Sequence, residues 1–261
     1  MTESLAKILA GVPRQALPDR LAAARGVVRF EVTGSKRRVV DSVAVRFGAG
    51  SVDPTEDEPD VTIRSTPEVL AGIVAGERNA ALEYLRGSLD IRGDAELALA
   101  VGGMFRRPGT EIAVDPRDLD PVDVASALGE VKGDHLKQVM RSGFREVVLG
   151  EIFRRLPDFV NPHKAAKVDL TVGFRLTGNP SGEIERYLVR VDRGAATVTT
   201  GQADDAGERD ATVTCEGHDF LRLATGHLHP VFGVLRGQLK VRGDQTKALQ
   251  LSSVIDIPQA R

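Results

Sequence analysis

Residues 60–101 read DVTIRSTPEVLAGIVAGERNAALEYLRGSLDIRGDAELALAV, and residues 210–251 read DATVTCEGHDFLRLATGHLHPVFGVLRGQLKVRGDQTKALQL. The second stretch follows the first by 150 positions and aligns with it without a gap. The identical pairs are Asp60/Asp210, Thr62/Thr212, Gly76/Gly226, Leu85/Leu235, Arg86/Arg236, Gly87/Gly237, Leu89/Leu239, Arg92/Arg242, Gly93/Gly243, Asp94/Asp244, Ala98/Ala248 and Leu99/Leu249. Solenoid repeats are shorter, roughly 20–50 residues, so this is a duplicated domain.

The segments that precede these stretches align as well, at a shift of 144 positions. Residues 8–34 and 152–178 share two prolines, a strand-like apolar pair and a glycine: Pro13/Pro157, Pro18/Pro162, Val28/Val172, Phe30/Phe174 and Gly34/Gly178. We predict a first domain at 1–105, a Pro-rich linker and connecting helix at 106–145, and a second domain at 146–261. The extra residues of the second half fall in turns and loops at 179–182 and 201–207.

Each half has the same order of predicted elements. A helix that ends near Pro13 or Pro157 is followed by two strands with alternating apolar residues, a third strand, two helices, a fourth strand and a closing segment. Glycines at 87 and 237 suit the left-handed end of a helix, and Asp94 and Asp244 suit the start of the next element. This order indicates an α+β fold with helices on one face of a sheet.

The bulk properties exclude several classes of protein. A net charge of −2 with interspersed charges gives no general attraction to nucleic acid. No apolar run is long enough for a membrane span, and the N-terminus lacks the pattern of a signal peptide. The single cysteine, Cys215, fits a reducing compartment, so we predict a cytoplasmic protein.

The strand–helix–helix–strand pattern of both halves resembles the sterol carrier protein type 2 family. The resemblance lies in Asp-x-Thr before an apolar helix, a glycine turn, a short helix, the Gly-x-φ-x-φ-x-Gly-Asp motif and an Ala- and Leu-containing end. The second half carries it from Asp210 to Asp244, and the first half from Asp60 to Asp94. The resemblance implies two five-stranded sheets, each covered by helices around an apolar tunnel.

The resemblance also implies a function. Such a protein binds a fatty acid, acyl-CoA, sterol or isoprenoid without chemistry, so no catalytic residue, cofactor or metal is expected. The candidate lining residues of the second half are Phe174, Phe220, Leu223, Phe232, Leu235, Leu239, Val241, Leu249 and Leu251. Those of the first half are Phe30, Leu70, Ile73, Leu82, Leu85, Leu89, Ile91 and Leu99. Ordinary core packing is the alternative for each of them.

Other readings stay open at this point. The protein can instead be an intrachain pseudo-dimer that docks a partner enzyme of lipid metabolism without binding a ligand. The apolar stripe on a helix from Asp134 either packs the two halves together or makes a transient membrane or partner contact.

Polar groups near the repeat offer weaker alternatives. The histidines around Cys215 are a weak candidate metal set, because the first half has no equivalent. Arg86 and Arg236 either face an anionic head group or cap a helix end. Because Glu83 and Tyr84 stand where the second half has Gly233 and Val234, we expect the second half to be the better binder.

Overall fold

The computed structural model describes residues 4–129, 131–201 and 209–257, and it divides into two units, Met1–Asp120 and Pro121–Arg261. Each unit contains one copy of the repeat. The division falls inside the segment 106–145 that we expected to be the linker. Residues 202–207 of the predicted second-half loop lie outside the described residues.

The first unit contains five strands and five α-helices among its described residues. In chain order they are α1 (Leu5–Gln15), α2 (Pro18–Ala23), β1 (Gly26–Thr33), β2 (Val39–Gly48), β3 (Ser51–Pro54), β4 (Val61–Ser65), α3 (Pro67–Val74), α4 (Ala80–Arg86), β5 (Leu89–Gly93) and α5 (Ala95–Gly102). A short 3₁₀ helix, Ser35–Arg37, lies between β1 and β2.

The second unit repeats this order after two additional helices. Its described elements are α6 (Pro121–Leu128), α7 (Gly133–Val139), α8 (Phe144–Arg155), α9 (Pro162–Ala165), β6 (Asp169–Thr177), β7 (Glu185–Asp192), β8 (Ala195–Thr200), β9 (Ala211–Glu216), α10 (Gly217–Ala224), α11 (Pro230–Leu235), β10 (Leu239–Gly243) and α12 (Gln245–Val254). A 3₁₀ turn, Leu156–Phe159, follows α8 and contains Pro157, as expected for a helix that ends before a proline.

The two sheets have the same strand order. It is β3-β2-β1-β4-β5 in the first unit and β8-β7-β6-β9-β10 in the second. The central pairs are parallel, with Phe30 opposite Ile63 and Phe174 opposite Val213, and the other neighbouring pairs are antiparallel. The predicted α+β fold with two five-stranded sheets is confirmed.

The aspartates repeated between the halves have the same structural role in each. Val27 N–H donates to Asp60 Oδ2 at 2.7 Å, and Thr171 N–H donates to Asp210 Oδ2 at 2.7 Å. The same aspartates accept, on their backbone oxygens, the N–H groups of Asp94 and Asp244. These residues therefore hold the first, fourth and fifth strands of each sheet together. This structural role explains why both halves have aspartate at this position, without any ligand.

The glycines of the Gly-Asp motif are also structural. Gly93 and Gly243 have φ values of +105° and +87°, and a Cβ at either position would overlap the carbonyl oxygen of Asp60 or Asp210. Only glycine avoids both the strained backbone and the overlap. The aspartates that follow cap α5 and α12 by accepting backbone N–H groups, as predicted.

Two features differ from the sequence-based expectation. The residue pattern showed four strands per half, and the fifth is the edge strand β3 or β8, whose SVDP and AATVTT sequences lack apolar alternation. The long helix predicted from Asp134 is two helices, α7 and α8. The Ser142 hydroxyl donates to Val139 O and accepts from Phe144 N–H, which ends one helix and begins the next.

Candidate functional site

The interior of the second unit contains a cluster of aromatic rings between α8, α10 and the sheet. Phe153 stacks on Tyr187 with centroids 3.7 Å apart and on Phe220 at 4.8 Å. Phe174 meets Phe220 edge-on at 5.4 Å. Burial raises the pKa of the Tyr187 phenol, and the charge of Glu185 adds to the shift. Two predicted lining residues, Phe174 and Phe220, therefore pack against other rings of the core.

The remaining candidates of the second half lie on α10, α11, β10 and α12, and three of them are exposed. Phe232 is 56% exposed, Leu235 75% and Leu249 42%. Val231 and Val234 on α11 are exposed as well. Those that are half-buried or buried are Leu223, Val241, Leu239 and Leu251. Both α11 and α12 of the second unit thus expose apolar side chains, and sequence patterns gave no sign of this exposure.

The equivalent helix of the first unit, α4, is buried. Ala81, Tyr84 and Leu85 stand where α11 has Val231, Val234 and Leu235, and all three are buried. The candidate residues of this half divide into buried ones, Phe30, Leu70, Ile73, Leu85 and Leu89, and half-buried ones, Leu82, Ile91 and Leu99.

The chain after α5 returns to the start of α4 in the first unit. Asn79, the residue before α4, donates from Nδ2 to Asp115 O at 2.9 Å. Met104, Phe105 and Leu119 of this returning segment are buried. The first half therefore closes over its own helices with the chain at 104–119.

The spacing between the last two helices explains the difference between the units. A Cβ built on Gly102 of α5 would lie 2.7 Å from Ala80 Cβ of α4, so these helices approach as closely as their backbones allow. The equivalent positions in the second unit are Ser252 and Pro230. Their larger side chains prevent such an approach of α12 to α11.

The two copies also pack differently where Glu83 of the first half is replaced by Gly233 in the second. Glu83 is buried on α4, where its Oε1 pairs with Arg78 at 3.1 Å and Arg86 at 3.4 Å, and its Oε2 has no hydrogen-bond partner among the described residues. Gly233 occupies the same place on α11, and a Cβ there would lie 2.8 Å from the Leu239 side chain. Glycine therefore lets α11 lie directly on β10. The contact with Glu83 favours the structural interpretation of Arg86.

Sequence reasoning missed a shallow cleft in the second unit, whose walls leave no enclosed space for a ligand. Its lining residues are Lys137, Met140, Arg141, Arg145, Gly178, Glu216, Gly217 and His218. The buried Arg145 guanidinium donates to both oxygens of Glu185 at 2.6–2.9 Å, to Met140 O at 3.1 Å and to Thr177 O at 3.0 Å. Because these partners all belong to the protein, the arginine joins α8 to the sheet. In the sequence, Arg145 is recognisable only as a charged residue beside the apolar stripe of the predicted helix.

Two of the histidines near Cys215 lie beside carboxylates or a backbone oxygen of the second unit. The described residues hold no group of three or more His, Cys, Asp or Glu side chains that could bind a metal ion. His218 lies between Glu216 at 3.2 Å and Asp219 at 3.6 Å, and burial lowers its pKa more than these carboxylates raise it. His227 Nε2 lies 2.7 Å from Ala125 O. Burial raises the pKa of the Cys215 thiol to about 12, so this thiol is not a nucleophile at neutral pH.

None of the helices in the described part of the chain is both long and apolar enough to cross a bilayer. The exposed apolar side chains of the second unit lie on α11, which is six residues long, and on α12, which is ten residues long.

Comparisons with known proteins bear on both halves. A family model described as "SCP-2 sterol transfer family" matches residues 5–106 and 149–256. Hydroxysteroid dehydrogenase-like protein 2 of Xenopus tropicalis is 25% identical over 107 residues, which cover 41% of this chain and 24% of that protein. Human sterol carrier protein 2 is 27% identical over 113 residues, 43% of this chain and 20% of that protein.

The match spans about a fifth to a quarter of the length of these relatives. A solved structure, sterol carrier protein 2 like 2 from Aedes aegypti, is 24% identical with a TM-score of 0.34. It is matched over 42% of this chain and 95% of its own chain.

Proposed function

The chain belongs to the SCP-2 sterol transfer family in both halves, and we propose that it binds and carries a hydrophobic small molecule without catalysing a reaction on it. Fatty acids, acyl-CoA, sterols and isoprenoids are the candidate ligands. The ligand lies in the second unit, against the exposed apolar side chains of α11 and α12. The family match supports lipid binding in general, and the exposure of these side chains supports the choice of the second unit.

The exposed apolar side chains of α11 and α12 carry this proposal. Phe232 on α11 and Leu249 on α12 face solvent, although the equivalent positions of the first unit are half-buried. At the positions where Gly102 and Ala80 let α5 and α4 come close, the second unit has the larger residues Ser252 and Pro230. An acyl chain or ring system inserted here would remove these side chains from water.

The free energy available from such burial is sufficient for a carrier. Each buried methylene contributes about 0.8 kcal/mol, so ten would contribute about 8 kcal/mol before the cost of immobilising the ligand. A micromolar dissociation constant needs a net free energy of about 8 kcal/mol, so about fifteen buried methylenes (about 12 kcal/mol) would offset an immobilisation cost of about 4 kcal/mol. Binding of this strength needs no specific polar partner, and it permits release.

The first unit has a different part in this proposal. Its α4 is buried, including Glu83 and Tyr84, and the residue before α4, Asn79, is hydrogen-bonded to Asp115 O of the returning chain. These observations favour a structural or accessory role for the first unit, such as docking a partner enzyme. The accessory role, docking of a partner enzyme, is thus proposed for the first unit alone.

Ligand binding by the full-length protein is the first experiment. Native mass spectrometry with lipid extraction identifies what copurifies, and the delipidated protein is then titrated with palmitate, palmitoyl-CoA and cholesterol. We expect at least one of them to bind with a micromolar or lower dissociation constant. If the protein carries no copurifying lipid and binds none of the three probes, the proposal is wrong.

Hydrogen exchange then locates the ligand. We expect the added ligand to slow exchange in residues 230–251 and to leave residues 80–101 unchanged. Leu249→Asp should weaken binding roughly tenfold or more, because the carboxylate is poorly solvated beside an acyl chain. Ile112→Asp, which changes an exposed apolar residue of the first unit (63% exposed), is the matched control. Protection confined to residues 80–101 would place the ligand in the first unit and contradict the proposed site in the second.

A further inference from the structure

The edge strand β5 of the first sheet differs in charge from its counterpart β10 in the second. β5 reads LDIRG, and β10 reads LKVRG. Each of them is the last strand of its sheet and has a neighbouring strand on one side only. The other side of such a strand presents backbone N–H and C=O groups that can pair with another chain. The two edges thus differ in charge at one position, where Asp90 is replaced by Lys240.

The hydrogen bonds to β4 show which residues of β5 point outward from the sheet. Asp94 N–H donates to Asp60 O at 2.9 Å, so the residue after β5 occupies a hydrogen-bonded position of the antiparallel ladder. Such positions alternate along an antiparallel strand. The residues two and four positions earlier therefore bond to β4, whereas the N–H and C=O groups of Leu89, Ile91 and Gly93 point away from it.

We propose that β5 pairs antiparallel with β5 of a second copy of the chain, about a two-fold axis at Ile91. In this register Ile91 lies opposite Ile91 of the second copy at a hydrogen-bonded position, and Asp90 lies opposite Arg92 on both sides of the axis. Side chains are closest at the non-hydrogen-bonded positions, which are those of Asp90 and Arg92. A two-fold contact is closed, so it forms a dimer and not a filament.

The charges of β5 make the strand complementary to itself. The Arg92 side chain is 63% exposed and contacts Asp90 of its own strand at 3.0 Å. A second copy brings the same pair in the opposite direction, so four charges of alternating sign meet on one face of the joined sheet. Opposite charges directly across from each other stabilise a pair of strands. This complementarity selects a second copy of the chain as the partner.

The other edge strands among the described residues lack this pattern. In the same register, Lys240 on β10 would lie opposite Arg242 of a second β10, and like charges directly opposite each other destabilise a sheet. Pairing of β5 with β10 of a second copy would likewise place Arg92 opposite Lys240. β3 has four residues and ends at Pro54, which lacks an N–H group. β8 reads AATVTT and has no charge that could select a partner.

Sedimentation velocity at increasing protein concentration measures the association. We expect the full chain to form a dimer, and Arg92→Asp to weaken dimerisation roughly tenfold or more, because Asp90 then lies opposite a second aspartate. Arg92 lies opposite Thr62 in its own sheet and is mostly exposed, so this variant should fold normally. Arg242→Asp, the equivalent change on β10, is the matched control and should not weaken the dimer.

A mixture of two variants tests the register of the pairing. Asp90→Lys gives β5 the charge pattern of β10 and should also weaken self-association. When it is mixed with Arg92→Asp, two basic residues lie opposite two acidic ones, so the mixture should associate more strongly than either variant alone. Since Asp90 lies opposite Arg64, circular dichroism checks that the Asp90→Lys variant folds. A mixture of folded variants that associates no more strongly than its components would contradict the register.

A cysteine at position 91 locates the contact, because the single natural cysteine, Cys215, is buried. Ile91 is the residue of β5 that lies opposite itself. Residues in a hydrogen-bonded pair have Cα atoms about 5.5 Å apart, which is within the range of a disulfide. We expect Ile91→Cys to give a crosslinked dimer under mild oxidation. Val241→Cys, at the equivalent position of β10, is the matched control and should not crosslink.

Three results would overturn the proposal. The first is a chain that stays monomeric at every concentration. The second is a dimer that Arg92→Asp leaves unchanged, which would remove the role of charge. The third is crosslinking of Val241→Cys as efficient as that of Ile91→Cys, which would place the contact at β10 instead.

Discussion

Replacing Gly243 by alanine tests the packing that holds the edge strand of the second unit. Gly243 has a φ of +87°, and an alanine Cβ would overlap the carbonyl oxygen of Asp210. That oxygen also accepts from Asp244 N–H at 2.8 Å, so it cannot move away without losing a hydrogen bond. The substitution therefore strains the backbone and forces two strands apart.

The magnitude follows from these two contributions. A left-handed conformation costs an L-residue about 1–2 kcal/mol, and overpacking against a fixed neighbour costs a further ~1–3 kcal/mol. Gly237 provides the matched control, because its φ is +73° and a Cβ there would meet no atom of the described residues within 4 Å. We expect Gly237→Ala to cost only the backbone contribution, leaving a difference of about 2 kcal/mol between the variants.

Chemical denaturation combined with hydrogen exchange measures the effect in each unit, because a chain of two units need not unfold in one step. Gly243→Ala should speed exchange in β9, residues 211–216, while β4 stays protected. Gly93→Ala, the equivalent change in the first unit, should have the opposite pattern. Equal destabilisation by Gly243→Ala and Gly237→Ala would refute the close approach to Asp210.

Two further predictions concern buried polar groups of the second unit. Arg145→Met should lower the free energy of unfolding by about 3 kcal/mol, because it leaves the Glu185 carboxylate without its charged partner. Chemical denaturation should show that part of this stability returns when Glu185 is also replaced by Met. A decrease of less than about 1 kcal/mol in the Arg145→Met variant would contradict the role of the pair. Cys215 should resist alkylation at pH 8 in the native protein. Its folded pKa is about 12 against an ordinary value of 9.0, so the unfolded state loses its proton first. Stability should therefore fall between pH 9 and 12, by at most about 1.4 kcal/mol per pH unit, and Cys215→Ala should remove this part of the pH dependence.

The sequence predicted those parts of the fold that depend on local chemistry. The structure confirms three such features, each with a single physical explanation: the Gly-Asp turns, the glycines after α4 and α11, and the capping aspartates. The edge strands β3 and β8 were missed because an exposed strand needs no apolar alternation. The break between α7 and α8 depends on the Ser142 hydroxyl, which an apolar periodicity does not register.

The sequence placed the candidate site residues along the chain, but it could not predict which of them are buried and which are exposed. Apolar spacing marked Leu85 and Leu235 alike, and they are identical in the alignment. One is buried and the other is 75% exposed. The difference depends on the chain at 104–119 and on the approach of Gly102 to Ala80, which are contacts between distant segments. The Arg145–Glu185 pair, 40 residues apart, was beyond local patterns for the same reason.

The registers of the edge strands have a consequence for how the chain folds. Two similar domains in one polypeptide risk exchanging strands during folding, and the edge strands are the easiest to exchange. Asp90 on β5 lies opposite Arg64 on β4, whereas Lys240 on β10 lies opposite Thr214. If β10 paired with β4 in the same register, Lys240 would face Arg64, and like charges directly opposite each other destabilise a sheet. The change from aspartate to lysine thus penalises one mispaired product and favours the correct partner.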